Sequence, residues 1–204
     1  MSATALAAAL SQDQYLIRQK VIKILGNAFH VYDMAGKVVL YSKLKAFKLK
    51  EDIRLSAGEG ETVPLMKIRA RSIIDFGASY DVMDMTTGGE EGLKVGALRR
   101  KGLKSLLRDA WEILDAGDNV IGTIQEDSSF KAVVRRFVDY AAAFMPQSFH
   151  AEVGGQRVFE MKQNFNPCVK KMVLDFSVDP RHTLDRRLGM AAAVLLMAIE
   201  GRQG

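Results

Sequence analysis

Two stretches of this 204-residue chain gather positive charge with no acid among them. Residues 37–50 hold Lys37, Lys43, Lys45, Lys48 and Lys50, and residues 94–108 hold Lys94, Arg99, Arg100, Lys101, Lys104 and Arg108. Cations at this density can hold phosphate groups, and beside an anionic membrane each is worth about 1 kcal/mol. Which of them act together depends on the element that carries them. Alternate residues of a strand share a face, so Lys43 groups with Lys45, Arg99 groups with Lys101, and Arg100 points the other way. The candidate anion-holding residues are Lys43, Lys45, Arg99, Arg100, Lys101 and Lys104. A solvated outer wall that keeps sheet edges soluble would carry the same charges without any ligand.

Other reactive residue types are sparsely placed. His30, His150 and His182 have no partner at the spacing of a local metal motif. Cys168 is the only cysteine, which excludes an intramolecular disulfide and a cysteine metal cluster and points to a reducing compartment. The run Gly96-Ala-Leu-Arg-Arg-Lys-Gly-Leu-Lys-Ser105 reads like a phosphate loop. Leu103, however, separates glycine from the Lys-Ser that must follow it directly for amides and lysine to converge on phosphates. There is no Gly-x-Ser-x-Gly elbow. With no catalytic constellation, metal motif or cofactor motif in view, the reading is of a non-enzymatic binding protein.

The elements that must position the cations are strands. Phe29-His30-Val31-Tyr32-Asp33 is followed by Gly36 and Val38-Val39-Leu40, and the pattern returns three times. Tyr80-Asp81-Val82 precedes Gly88 and Val95-Gly96-Ala97-Leu98; Trp111-Glu112-Ile113 precedes Gly117 and Val120-Ile121. Phe149-His150-Ala151 precedes Gly154-Gly155 and Arg157-Val158-Phe159. Each copy has an aromatic start, an apolar residue two places on, a turn and a second apolar stretch, which is the signature of a hairpin. By alternation His30 and His150 face away from the aromatic residues before them. The copies start 51, 31 and 38 residues apart, too irregular for a solenoid or propeller. Further strands are expected over residues 15–25, 52–56, 65–71 and 170–176, so the count approaches a dozen, enough for a closed barrel or a sandwich.

Two segments break the strand pattern. Residues 128–144 place Phe130, Val133, Val134, Phe137 and Val138 at helical spacing, with Lys131, Arg135 and Arg136 opposite. Residues 188–199 contain no polar side chain. A helix apolar on all sides must be surrounded by apolar partners, and a membrane span needs about 18 or more such residues. The run is therefore a buried core helix, with Leu188, Val194, Leu195 and Ile199 among its structural residues. Asp179, Pro180 and Thr183 offer its start signals. The apolar share of 48% and charged share of 26% suit one globular domain. Residues 1–14 are expected as a flexible tail or short helix, and residues 15–201 as the domain. The absence of a basic n-region before the first apolar stretch makes a signal peptide unexpected, and the expected location is cytoplasmic or at a membrane periphery.

Tyr15-Leu-Ile-Arg-Gln19, Phe29-His-Val-Tyr-Asp-Met-Ala-Gly36, Lys67-Ile-Arg-Ala-Arg71, Val95-Gly-Ala-Leu-Arg-Arg-Lys101 and the apolar run at 188–199 occur in an order that resembles the LURP-one-related proteins. These belong to the tubby C-terminal-like superfamily and are related to phospholipid scramblases. The resemblance covers nearly the whole chain. It implies a mainly β, twelve-stranded closed barrel around a central hydrophobic C-terminal helix. The chain departs from scramblases in lacking a cysteine cluster, and Asp175-Phe-Ser-Val-Asp179 does not make a convincing calcium loop. The tubby phosphoinositide-binding positions do not transfer residue by residue. Taken with the formal charge of +5, the expected partner is an anionic phospholipid surface. A protein-interaction module with no lipid role and a scramblase-like activity are the alternatives. Nucleic acid ranks below lipid, because the basic stretches interleave only Tyr41 and Phe47 for stacking.

Overall fold

A computed structural model describes residues 2–22, 26–44, 52–71, 79–101, 110–127, 147–164 and 169–200. The expected helix at 128–144, Lys45, Lys104 and Cys168 lie outside the described residues. The strands are β1 (Gln14–Ile22), β2 (Gly26–Tyr32), β3 (Val38–Leu44), β4 (Ile53–Leu55), β5 (Met66–Ala70), β6 (Ser79–Asp84), β7 (Leu93–Arg100), β8 (Trp111–Asp115), β9 (Val120–Glu126), β10 (Ser148–Val153), β11 (Gln156–Asn164) and β12 (Lys170–Asp175). Two described helices flank them, α1 (Ser2–Ala9) and α2 (Arg186–Glu200). Every strand pair is antiparallel, in the order β3-β2-β1-β12-β11-β10-β9-β8-β7-β6-β5-β4. Tyr41 and Ser56 exchange backbone hydrogen bonds of 2.9 and 2.8 Å, bringing β3 beside β4 and nearly closing the ring.

All four expected hairpins are present, for local reasons. The Gly36 amide donates to the Asp33 carbonyl at 3.0 Å and Gly36 has φ +81°, so the turn after β2 needs the left-handed backbone that glycine supplies. Gly154 and Gly155 both have positive φ, which the two-residue turn between β10 and β11 demands. With each even-numbered strand running into its hairpin, the connections at 33–37, 56–65, 85–92, 116–119 and 154–155, and the lead into α2, all lie at one end of the ring. We call this the hairpin end.

Alternation sends Tyr15, Ile17, Phe29, Val31, Ile68, Val82, Leu98, Trp111, Ile113, Phe149 and Met172 inward, where they are buried. The core they surround is α2, whose residues from Leu188 to Ala198 are all buried and which contacts β1, β5, β6, β7 and β12. Val194 and Leu195 lie at its middle, and Ile199 packs on the core at its edge. Phe176 stands edge-on to both Tyr15 and Phe159, with ring centroids 6.3 and 5.9 Å apart, a preferred aromatic geometry.

The helix start differs from the sequence expectation. Asp179 and Pro180 sit in the preceding turn, where the Asp179 carboxylate accepts the amides of Thr183 and Leu184, both at 3.0 Å. Asp185 caps α2, accepting the Arg187 amide at 2.9 Å, the bond an N-cap residue makes to the first turn. Arg187 also pairs with Asp84, and Arg186 with Asp13, fixing the helix to the hairpin end of β6 and the start of β1. Residues 2–9 form the short helix of the two expected alternatives. Leu6, Ala9 and Leu10 join the same core, because their apolar side chains lie against the barrel rather than in water.

Candidate functional site

The outward positions of β12, β1, β2 and β3 form one continuous face. Ile17, Phe29, Leu40 and Met172 point inward, so Lys171, Arg18, His30 and Tyr41 point outward, and the strand register sets these four side by side in one row. The next row places Lys20 and Lys43 on either side of Ala28. At about 4.8 Å between strands, the first row spans about 14 Å. Lys20 and Lys43 are exposed, whereas Arg18 and Lys171 are half-buried. Among the described residues none of these four cations makes an ion pair. The Arg18 guanidinium lies 5.8 Å from the centre of the Tyr32 ring, within cation–π range. His30 Nε2 meets Glu59 Oε1 at 3.0 Å, and its ring packs against Tyr32 and Tyr41.

Such a wall offers fixed positive charge beside aromatic rings. The sequence profile of the LURP-one-related family matches residues 38–197. The chain belongs to the LURP-one-related family. This LURP-one-related barrel is also similar to an X-ray structure of a protein from Arabidopsis thaliana, with 12% identity, a TM-score of 0.48, and coverage of 91% of this chain and 88% of that one. Among curated proteins, none matches it.

The family member's other expected cations are placed differently. Arg99 Nη2 pairs with Glu112 Oε2 at 2.7 Å, and Lys101 Nζ approaches Glu112 Oε1 at 3.5 Å, so one carboxylate serves both. Arg100 lies on the opposite face, across from the buried Trp111. Along the ring β7 lies four strands from β3, about 19 Å around the wall. The structure thus places Lys43 away from Arg99, Arg100 and Lys101. Arg18, Lys20 and Lys171 belong with Lys43 but stand outside both basic stretches, since the wall draws its cations from separate strands. Only the outward phase of the expected strands at 15–25 and 170–176 signals them in the sequence.

His30 and His150 both face outward, as alternation requires. His150 Nδ1 lies 2.6 Å from Asp127 Oδ1, and its Nε2 lies 3.6 Å from Glu152 Oε1. On the wall of β5–β8, Arg71 pairs with Asp81 at 2.6 Å and with Asp118, while Lys94 pairs with Asp118 at 2.8 Å. These partners, Arg71 foremost and then Lys94, hold the Asp118 carboxyl down at about 2. A carboxyl depressed in the folded state stabilises the fold above its unfolded pKa of about 4, and that stabilisation is lost as pH falls through the folded value. Asp118 has φ +68°, a conformation asparagine tolerates. The expected result for Asp118→Asn is a flatter decline of melting temperature between pH 4 and pH 2 than in the parent. Parallel declines would mean the network does not link the β8–β9 turn to β5 and β7.

Proposed function

We propose that this LURP-one-related barrel is a non-enzymatic binding protein whose outer wall at β12, β1, β2 and β3 takes anionic phospholipid headgroups at a membrane surface. The observation that carries the reading is the set Arg18, Lys20, Lys43 and Lys171, which share one face without ion-pair partners among the described residues, while Arg99 and Lys101 are tied to Glu112. Unneutralised cations on a rigid sheet need no rearrangement to meet phosphate. At about 1 kcal/mol each near a charged surface they sum to about 4 kcal/mol, close to three orders of magnitude in partition. No described helix is long and apolar enough to cross a membrane, so the contact proposed is peripheral, and a cytoplasmic location suits it.

Flotation with phosphatidylcholine vesicles, with and without phosphatidylserine, tests this. The expected result is binding that requires the anionic lipid and weakens with salt. Changing Arg18, Lys20, Lys43 and Lys171 together to glutamate reduces it at least a hundredfold with an unchanged thermal melt. The pair Arg99→Glu and Lys101→Glu has the smaller effect. Equal flotation of the parent and the fourfold variant overturns the reading.

A further inference from the structure

The hairpin end of the barrel carries a surface of opposite character. Among the described residues the exposed large hydrophobic side chains are Met34, Val63, Leu93, Val120 and Val178, open by 37–66%. All five lie in or beside hairpin-end connections. Because β3 adjoins β4, Met34, Val63, Leu93 and Val120 mark four successive connections around the rim: β2–β3, β4–β5, β6–β7 and β8–β9. Each follows a carboxylate by one or two positions. Asp33 precedes Met34, Glu61 precedes Val63, Glu91 precedes Leu93, and Asp118 precedes Val120. Glu59 and Glu90 add two more exposed acids to the same loops.

Scattered exposed aliphatic residues need no explanation, but this set repeats one pairing in or beside four neighbouring connections. Turn geometry accounts for the acids at Asp33 and Asp118, which accept or pair locally, and for the glycines. It does not account for Met34 and Val63, since turns favour small and polar residues, whereas Leu93 and Val120 open β7 and β9. Glu61 and Glu90 make no ion pair among the described residues. Successive connections stand two strands apart, about 10 Å, so the arc runs about 30 Å, half of the twelve-strand perimeter, and its ends stand about 18 Å apart across the ring, the length of a helix of about 12 residues.

We propose that this acidic and aliphatic arc docks a cationic amphipathic helix of a partner protein. Its aliphatic side chains would meet Met34, Val63, Leu93 and Val120, and its lysines or arginines would meet Glu61 and Glu90 first, then Glu59 and Glu91, which already pair with His30 and Arg69. An anionic bilayer is the wrong partner, because the same carboxylates repel it. Charge complementarity therefore selects a basic segment, and the rim meets the cationic wall where Glu59 pairs with His30.

The test uses the full chain and a fluorescent 20-residue helical peptide of lysine and leucine in amphipathic repeat, followed by anisotropy. Saturable, salt-sensitive binding is expected; replacing the peptide's lysines by glutamate abolishes it, and replacing its leucines by serine weakens it at least tenfold. The chain carrying Met34→Ser, Val63→Ser, Leu93→Ser and Val120→Ser binds at least tenfold more weakly. Glu59→Gln, Glu61→Gln, Glu90→Gln and Glu91→Gln together weaken binding and flatten its salt dependence. Single Val63→Ser and Glu61→Gln changes, both exposed, give the same directions should a fourfold variant fold poorly. The wall variant at Arg18, Lys20, Lys43 and Lys171 binds the peptide no more weakly than the parent does, so the two surfaces fail or stand separately. Unchanged binding by the serine variant overturns the proposal. Self-association in sedimentation that the same substitutions abolish also overturns it in favour of an interface between copies, and so does loss of vesicle flotation in the serine variant, in favour of a membrane contact.

Discussion

Leu195→Asp leaves the chain unfolded at neutral pH. Leu195 is buried at the middle of α2, with the barrel around it. Removing the leucine forfeits about 2 kcal/mol of apolar burial. The new carboxyl cannot ionise there without water or a partner, so it must bind a proton, which at pH 7 costs about 4 kcal/mol against an ordinary pKa of about 4. The neutral acid still lacks hydrogen-bond partners, adding about 2–4 kcal/mol. The sum, about 8–10 kcal/mol, rivals the total stability of about 5–15 kcal/mol typical of a domain. Its pKa in any folded form is raised, so the penalty is greatest at neutral pH and shrinks by about 4 kcal/mol as pH falls to 4. Circular dichroism and amide NMR check this beside Leu195→Met, expected to cost less than about 1.5 kcal/mol. A cooperative melt for Leu195→Asp at pH 7 close to that of the parent would remove α2 from the core.

Gly189→Val is the second large effect. A Cβ at Gly189 would stand 2.5 and 2.6 Å from ring atoms of Phe176 and 3.2 Å from Phe159. Phe176 cannot yield freely, since it is held edge-on between Tyr15 and Phe159. Alanine would normally gain about 1 kcal/mol over glycine inside a helix; here overpacking of about 1–3 kcal/mol opposes it. Gly189→Ala is expected to lower the melting temperature by a few degrees. Gly189→Val, with two further methyl groups, is expected to cost about 3 kcal/mol or more, about 6–12 °C at this chain length. Phe176→Leu should restore part of the Gly189→Val loss, a coupling that a double-mutant cycle reads directly. A rise in melting temperature for Gly189→Ala would show that the close approach is absent.

The strands and the buried helix were legible because each rests on a local period. Phe29 with Val31 and Trp111 with Ile113 display the two-residue repeat that points both inward, and an all-apolar run at 188–199 can only be surrounded. Ring closure was not legible, since nothing local at Tyr41 announces Ser56 as its neighbour. The helix start was misplaced for a related reason: Asp179 and Asp185 are both plausible caps, and the choice falls to contacts with Asp84 and Asp13 far away in the chain. The candidate wall suffers most. Scanning for local charge finds Lys43, but Arg18 and Lys171 lie on strands far apart in the sequence and meet only through the pairing of β1 with β12. The same scan overweights Arg99 and Lys101, whose common partner Glu112 is supplied by the next strand.

The element at the centre of the barrel leaves the ribosome after the strands that surround it. All twelve described strands are translated before Arg186, and β1 waits for β12 before its second edge is paired. A nascent chain with every strand available still has no core to wrap, so the inward faces stay exposed to other chains until α2 arrives. Pairings this distant in sequence are slow to form, and unpaired edges with open apolar faces are what aggregates and what chaperones hold. Folding of this barrel is thus bound to completion of the segment through Glu200, and a chain cut short just before Arg186 would display all the described strands as sticky surface rather than as a partly finished domain.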